Sequence, residues 1–489
     1  MKYSLVAALL VAASASAHDL HPAHNARHLY LVERQNPTPS SSPVSSTPTS
    51  SSSVISSVSS SGSSPTPGSS PSGTTTQRPP STITGAPGAI PIDHITSGMS
   101  SGPPDPATTT YPAGSRPSWS GAPPLPSPFV FTASKWPAQD KVVDPSLFPD
   151  QMAIWMQELE GVDIPDIPLT DGTCAGSPDS FAKAADNGWW SCGGYTRDTD
   201  ITSCPTKYTW GVSFDDGPGP YTGELLKYLD QKAVKATFFV VGSRVVERPA
   251  ILIEEYMSGH EISVHTWSHR LLTTLTTPQI VAELGFTREV IRKVLGVTPT
   301  TMRPPQGDID DRVRAISLAM GLVPIMWSST PSAGKFDTND WQVAAGIVTG
   351  EQSFQTFESI LGNASLLDTG FIVLQHDIHY STVELATGYT LDSALKHDPK
   401  FTLQPIGQCL GYPVTDLYVE TTKNTTFPSN ATKNAVNGIA MNDTGSNGSN
   451  KTGNSGTTNE STSGSSSVAA SASFITGFLS FAGLLVTLL

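Results

Sequence analysis

The sequence predicts an α/β fold, a distorted (β/α) barrel with fewer regular units than eight, flanked by disordered Ser/Thr/Pro-rich segments. Three observations carry this. Strand-like and helix-like segments alternate over roughly 200 residues between Cys204 and Cys409, the pattern of a parallel sheet covered by helices. The polar clusters of that region fall where a predicted strand ends, the rim on which such barrels carry chemistry. Outside it the chain turns to Ser, Thr, Pro and Gly, too poor in large apolar residues to offset chain entropy.

The elements follow in order. An apolar run, 208–214, ends in the adjacent carboxylates Asp215 and Asp216, and Thr222 then caps a helix with Leu225, Leu226 and Leu229 on one face. Residues 236–241 (ATFFVV) read as a buried strand. Pro249 opens a helix that Gly259 closes. A strand over 260–264 ends at His265, and a long helix runs from Thr277-Pro278 to near Gly296. A strand over 301–303 follows, then a helix to Met320 capped by Asp310 or Asp311. Residues 323–327 and 371–374 are strands, and 401–406 the last one.

The flanks predict location. Residues 1–17 carry Lys2, an apolar centre and a small-residue finish, the pattern of a secretory signal peptide cleaved after Ala17. Residues 18–128 are expected to form a disordered, O-glycosylated stalk, 129–204 an amino-terminal wrap on the catalytic domain of 205–410, and 411–465 a glycosylated linker. Asn363, Asn424, Asn430, Asn442, Asn447, Asn450 and Asn459 head N-glycosylation sequons. Residues 466–489 end apolar with no charge after them, a GPI-anchor signal with Ser463 or Ser465 as attachment site. The protein is thus expected outside the cell, GPI-anchored at plasma membrane and wall, and touching membrane only through that lipid. A formal charge of −14 argues against nucleic acid as a partner, and a monomer is expected. Four cysteines suit an oxidising compartment; Cys174–Cys192 is favoured as a local loop and Cys204–Cys409 as a clasp on the folded region.

Candidate chemistry gathers from separate places. His265 and His269 stand four apart after a strand and face one point if the segment turns helically. Two imidazoles and a carboxylate suit zinc or a similar divalent ion with positions left open. Thr266 follows the first histidine where a metalloprotease needs Glu, which argues against protease chemistry. Neighbouring strand residues point opposite ways, so Asp215 and Asp216 divide the work, one binding metal and the other addressing water. This also disfavours a glycosidase, whose carboxyls face each other ~5–9.5 Å apart. Arg303 heads a stiff loop, RPPQGD, and the strand at 371–374 delivers His376 to the same rim. His18, His21, His24 and His28 read as tail, and Trp189-Trp190 as packing.

Five ordered motifs, SFDDGP (213–218), HTWSH (265–269), RPPQGD (303–308), DTNDW (337–341) and LQHD (374–377), make the chain resemble the NodB-like polysaccharide deacetylases of carbohydrate esterase family 4, and most of all the fungal chitin deacetylases. The resemblance covers about 206–406 and implies a NodB-homology barrel. It further implies one divalent metal ion, zinc or cobalt, on Asp216, His265 and His269. Asp215 matches the general base, Arg303 its support and His376 the general acid. Gln306 stands where a backbone N–H meets the oxyanion, and Trp341 and Leu374 where a pocket holds the acetyl methyl. Asp340 matches a supporting carboxylate, for either Arg303 or His376. Two departures are Ser213 where Thr is usual and Gln306 where an aromatic is common. The activity implied is removal of N-acetyl groups from chitin or its oligomers, giving chitosan and acetate. Its rivals are a deacetylase of another acetylated polysaccharide and a non-catalytic wall mannoprotein.

Overall fold

The protein is described by a computed structural model over residues 82–424, with 105 and 108 set aside. The predicted signal peptide, the stalk before residue 82, the sequons from Asn430 onward and the GPI signal lie outside the described residues.

The strands are shorter than the apolar runs that predict them. They are β1 (Thr209–Gly211), β2 (Ser213–Asp215), β3 (Thr237–Val240), β4 (Glu261–Val264), β5 (Thr301–Met302), β6 (Val323–Pro324), β7 (Ser329–Thr330), β8 (Gly334–Lys335), β9 (Phe371–Ile372) and β10 (Thr402–Gln404). One parallel sheet runs β2-β3-β4-β5-β6 and another β10-β1-β9, while β7 and β8 form an antiparallel hairpin. Since β1 and β2 are halves of one run broken at Val212, a single segment belongs to both sheets. Ser328 N–H donates to the Ile372 carbonyl at 3.0 Å, joining the far edges as well. The strands therefore curl into a distorted barrel, and Phe214, Phe238, Val264 and Met302 along them are each at most 1% exposed.

The helices keep the predicted order. The helix Pro249–Met257 opens on proline and is followed by Gly259 at φ 83°. The helix Thr277–Leu295 has a reciprocal capping box between Thr276 and Gln279 and stops at Gly296 in the left-handed conformation. Asp310, not Asp311, caps the helix Asp311–Ala319 by accepting from Val313 N–H. Thr222 does not cap its helix. It is the first helical residue, after Tyr221, and its hydroxyl instead donates to the Asp377 carboxylate and accepts from Gly219 N–H at 2.8 Å.

Two expected boundaries are corrected. The stalk does not reach residue 128 free of the fold: Ile92, Ile95, Ala122 and Leu125 are buried, and Gly350 N–H donates to the Ile95 carbonyl at 2.9 Å. The domain likewise runs past 410, with Tyr418 buried and its hydroxyl accepting from Ile262 N–H at 3.2 Å. Scattered apolar residues among prolines suffice here because they fill grooves of a core built elsewhere. Residues within 129–204 pack on the helix Thr277–Leu295. Trp155 lies on Gly285 in the middle of the long helix, where any Cβ would collide with the indole. Glu158 takes a bidentate ion pair from Arg288 at 2.7 and 2.9 Å. Both favoured disulfides, Cys174–Cys192 and Cys204–Cys409, are present. Trp189 and Trp190 are packing residues, Trp190 meeting Trp327 edge-on at 4.5 Å.

Candidate active site

The site begins where β2 surfaces. Asp215 closes the strand, and Asp216 follows at φ 80°, a conformation costly for a residue with a Cβ and characteristic of functional sites. That turn overrides strand alternation. Both carboxylates reach the same imidazole, His265 Nε2 standing 3.4 Å from Asp216 Oδ1 and 3.9 Å from Asp215 Oδ2. The division of labour survives for another reason: Asp215 Oδ1 is taken by Arg303 at 2.6 Å, while Asp216 Oδ1 lies 3.0 Å from His269 Nε2.

The histidine segment is not the helical turn expected from its spacing. No helix includes 265–269, and Thr266 and His269 both adopt positive φ, 63° and 55°. These two reversals bring the rings together, their centroids 5.0 Å apart. His265 Nδ1 faces the Arg303 carbonyl at 2.7 Å, which makes Nδ1 the protonated nitrogen and leaves the Nε2 lone pair facing Asp216. Burial pushes His269 below its ordinary pKa, keeping it a neutral imidazole.

One ligand atom from each of Asp216, His265 and His269 lies within 4.8 Å of the other two. Asp216 Oδ1 is buried and makes no hydrogen bond despite the nearby imidazole nitrogens. Two imidazole nitrogens and a buried carboxylate oxygen converging on one point are a donor set that fits a divalent cation.

Around it stand two supported groups. Arg303, fully buried, also donates to Ser213 Oγ at 3.0 Å and to the Ile325 carbonyl at 3.2 Å, and lies 3.9 Å from the centre of the Phe239 ring. Ser213 therefore keeps the hydroxyl that a Thr would present, and that departure loses no bond. His376 is the second. Asp340 takes its Nδ1 at 2.7 Å and its backbone N–H at 2.8 Å, so the carboxylate left open between two candidates supports His376. Burial disfavours the imidazolium, but the charge and hydrogen bond of Asp340, helped by Asp216 and Asp215, outweigh it and push His376 up to about 10.

Asp340 also accepts from Trp341 N–H at 2.8 Å, placing the half-buried Trp341 beside that dyad, and Leu374 sits two residues before His376 on the segment entering the rim. Gln306 is half-buried at φ 56° in the turn Pro305–Gly307. Gly307 beside it is covered by Trp190 and Trp327, leaving no room for a Cβ.

Three supports were not read from the sequence. Arg244 donates to the Asp216 carbonyl and stands 3.8 Å from Asp216 Oδ1. Asp308 accepts from Trp189 Nε1, Ser191 Oγ and Thr273, both N–H and hydroxyl, at 2.8–2.9 Å. Glu283 binds the histidine loop. The only sequence signal for Arg244 and Glu283 is a charge within an apolar stretch, which does not name a partner.

Residues 202–325 match the polysaccharide deacetylase family model. Chitin deacetylase 1 of Cryptococcus neoformans var. grubii is 48% identical over 336 residues, 67% of this chain and 70% of its own length. Chitin deacetylase of Amylomyces rouxii is 34% identical over 53% of this chain and 62% of its own. The solved chitin deacetylase of Colletotrichum lindemuthianum aligns over 45% of this chain and 94% of its own at 27% identity, with a TM-score of 0.39. Parallel strands with catalytic-type side chains at their carboxyl ends define a hydrolase of the NodB-homology architecture. The chain belongs to the polysaccharide deacetylase family and is a carbohydrate esterase.

Proposed function

We propose that this protein removes N-acetyl groups from chitin, leaving glucosamine units and acetate, with a divalent metal ion held by Asp216, His265 and His269. The observation carrying this is the convergence of those three ligands between two separately supported groups, Asp215–Arg303 and His376–Asp340. The names of the related chitin deacetylases support the substrate class.

An amide resists hydrolysis because its carbonyl carbon is a poor electrophile and its nitrogen a poor leaving group. A divalent ion on these ligands supplies Lewis acidity and lowers the pKa of water. Asp215, held in one orientation by Arg303, takes a proton from the attacking water as its oxygen bonds to the acetyl carbon. The Gln306 N–H donates to the oxyanion, a bond that strengthens as charge develops. His376, protonated and oriented by Asp340, gives its proton to the nitrogen as the C–N bond breaks. Trp341 and Leu374 wall the acetyl methyl. Acetate and a free amine result.

We assign the protein to the cell surface, secreted by residues 1–17 and held through lipid on Ser463 or Ser465, with the segments outside the catalytic unit serving as stalk and linker. Release from cells by a phosphatidylinositol-specific phospholipase tests this. For the chemistry, Asp216→Ala and His265→Ala should abolish acetate release from chitin oligomers, and a chelator should do the same to the unaltered protein until zinc or cobalt is restored. Activity that survives both treatments refutes the metal reading. Acetylated xylan or peptidoglycan turned over faster than chitin oligomers moves the substrate to another polymer.

A further inference from the structure

The loop 265–269 holds two non-glycine residues at positive φ, each costing about 1–3 kcal/mol unless the surroundings impose it. Two of its own N–H groups point at one side chain. Glu283, on the long helix and fully buried, accepts from Trp267 N–H at 2.9 Å and Ser268 N–H at 2.8 Å on Oε2, and from Ser268 Oγ at 2.8 Å on Oε1. These donors are the two residues immediately before His269. The fourth bond comes from outside the barrel: Val143 N–H donates to Oε1 at 3.0 Å. The same stretch grips Trp267, whose Nε1 donates to the Ala138 carbonyl at 3.1 Å and whose ring stacks on Trp136 at 6.0 Å and 3°. Asp140 accepts from Ser243 Oγ at 3.2 Å.

We propose that Glu283 is the positioning residue of the histidine loop and that residues 136–143 are its outer clamp, so that this amino-terminal segment sets how tightly the divalent ion is held. It rests on the metal reading above. A carboxylate is required because all four bonds arrive as donors. An amide in its place presents a donor of its own to at least one of them. With the loop loosened, His265 and His269 lose the fixed separation on which a shared cation depends.

The test uses the full-length protein and a readout independent of turnover: titration of the metal-free protein with Co2+, followed by its visible absorption bands. Glu283→Gln should bind Co2+ about tenfold or more weakly than the unaltered protein, the scale of outer-sphere losses in metal sites. Ser268→Ala, which deletes one bond, and Trp136→Ala, which leaves Glu283 intact, should show smaller losses in the same direction.

Glu261→Gln is the control. Glu261 is another buried glutamate, accepting from Thr237 Oγ1, Gly407 N–H and Gln408 N–H at 2.7–3.0 Å, but at the opposite end of β4. It should lower the melting temperature and leave Co2+ affinity unchanged. The proposal is overturned if Glu283→Gln binds as the unaltered protein does, or if both glutamate variants lose affinity in step with stability. Should Glu283→Gln not fold, unchanged binding by Ser268→Ala and Trp136→Ala overturns it equally. Failure of the unaltered protein to bind Co2+ would instead refute the metal reading.

Discussion

Replacing Asp340 with Asn separates the proposed acid from its support with little change of shape. The variant keeps one oxygen, which can serve Trp341 N–H and His376 Nδ1 or the His376 backbone N–H but not both sides, and it loses the charge facing His376 Nδ1 at 2.7 Å. A hydrogen bond to a charged group contributes about 1.5–3 kcal/mol, and one pKa unit corresponds to about 1.4 kcal/mol, so His376 should fall by about one to two units. It begins at about 10, raised from 6.5. A raised histidine stabilises the fold fully below the unfolded value and loses that contribution as pH climbs from 6.5 toward 10. The proton donor is likewise present only below the folded value. The assay is kcat/KM for acetate release from chitin oligomers across pH at saturating metal. The alkaline limb should move down by about one to two pH units, with much smaller losses on the acid side. An unmoved alkaline limb, with activity reduced equally at every pH, would refute the assignment of His376 as the acid.

Other outcomes follow from the same contacts. Arg303→Gln strands the buried Asp215 charge and should cost about 3–5 kcal/mol in denaturant unfolding as well as turnover; an unchanged unfolding midpoint contradicts the pairing. His260, buried with Nδ1 accepting from Ala236 N–H, is pushed down to about 3 by burial, with Lys235 adding. A depressed histidine contributes stability above pH 6.5 that is lost as pH falls toward 3, at up to about 1.4 kcal/mol per unit. His260→Asn should flatten that slope, and a slope identical to the unaltered protein's would remove His260 from the account. The Cys204–Cys409 bond closes a 205-residue span and Cys174–Cys192 one of 18. On chain entropy their removal by paired Ser substitutions should cost about 5 and 3 kcal/mol, read from chemical unfolding; the reverse order would show that local packing, not loop length, dominates.

What the sequence determined by itself is the periodic part. Alternating apolar runs and helix-end signals placed the strand–helix units, because both depend on neighbours within a few residues: Pro249 and Gly259, or Thr277-Pro278 and Gly296, mark helix ends wherever they fold. The motifs placed their residues at strand ends for the same local reason. Strand lengths were overestimated, because a buried apolar run continues past the last paired residue.

Only the tertiary structure decided how the site closes. The spacing of His265 and His269 suggested a helical turn, and left-handed backbone at Thr266 and His269 does that work instead. Asp215 and Asp216 should have pointed apart, and φ 80° at Asp216 turns them to one imidazole. Positive φ in residues with a Cβ is unfavourable locally and persists because distant groups impose it: Arg244 on the Asp216 carbonyl, Glu283 on the histidine loop. Asp340 had two possible partners until the fold set it against His376, and the proline-broken segment 82–128 gave no sign of packing, having no period of its own. Contacts between residues far apart in the chain leave no periodic trace, and that is where the chemistry was assembled.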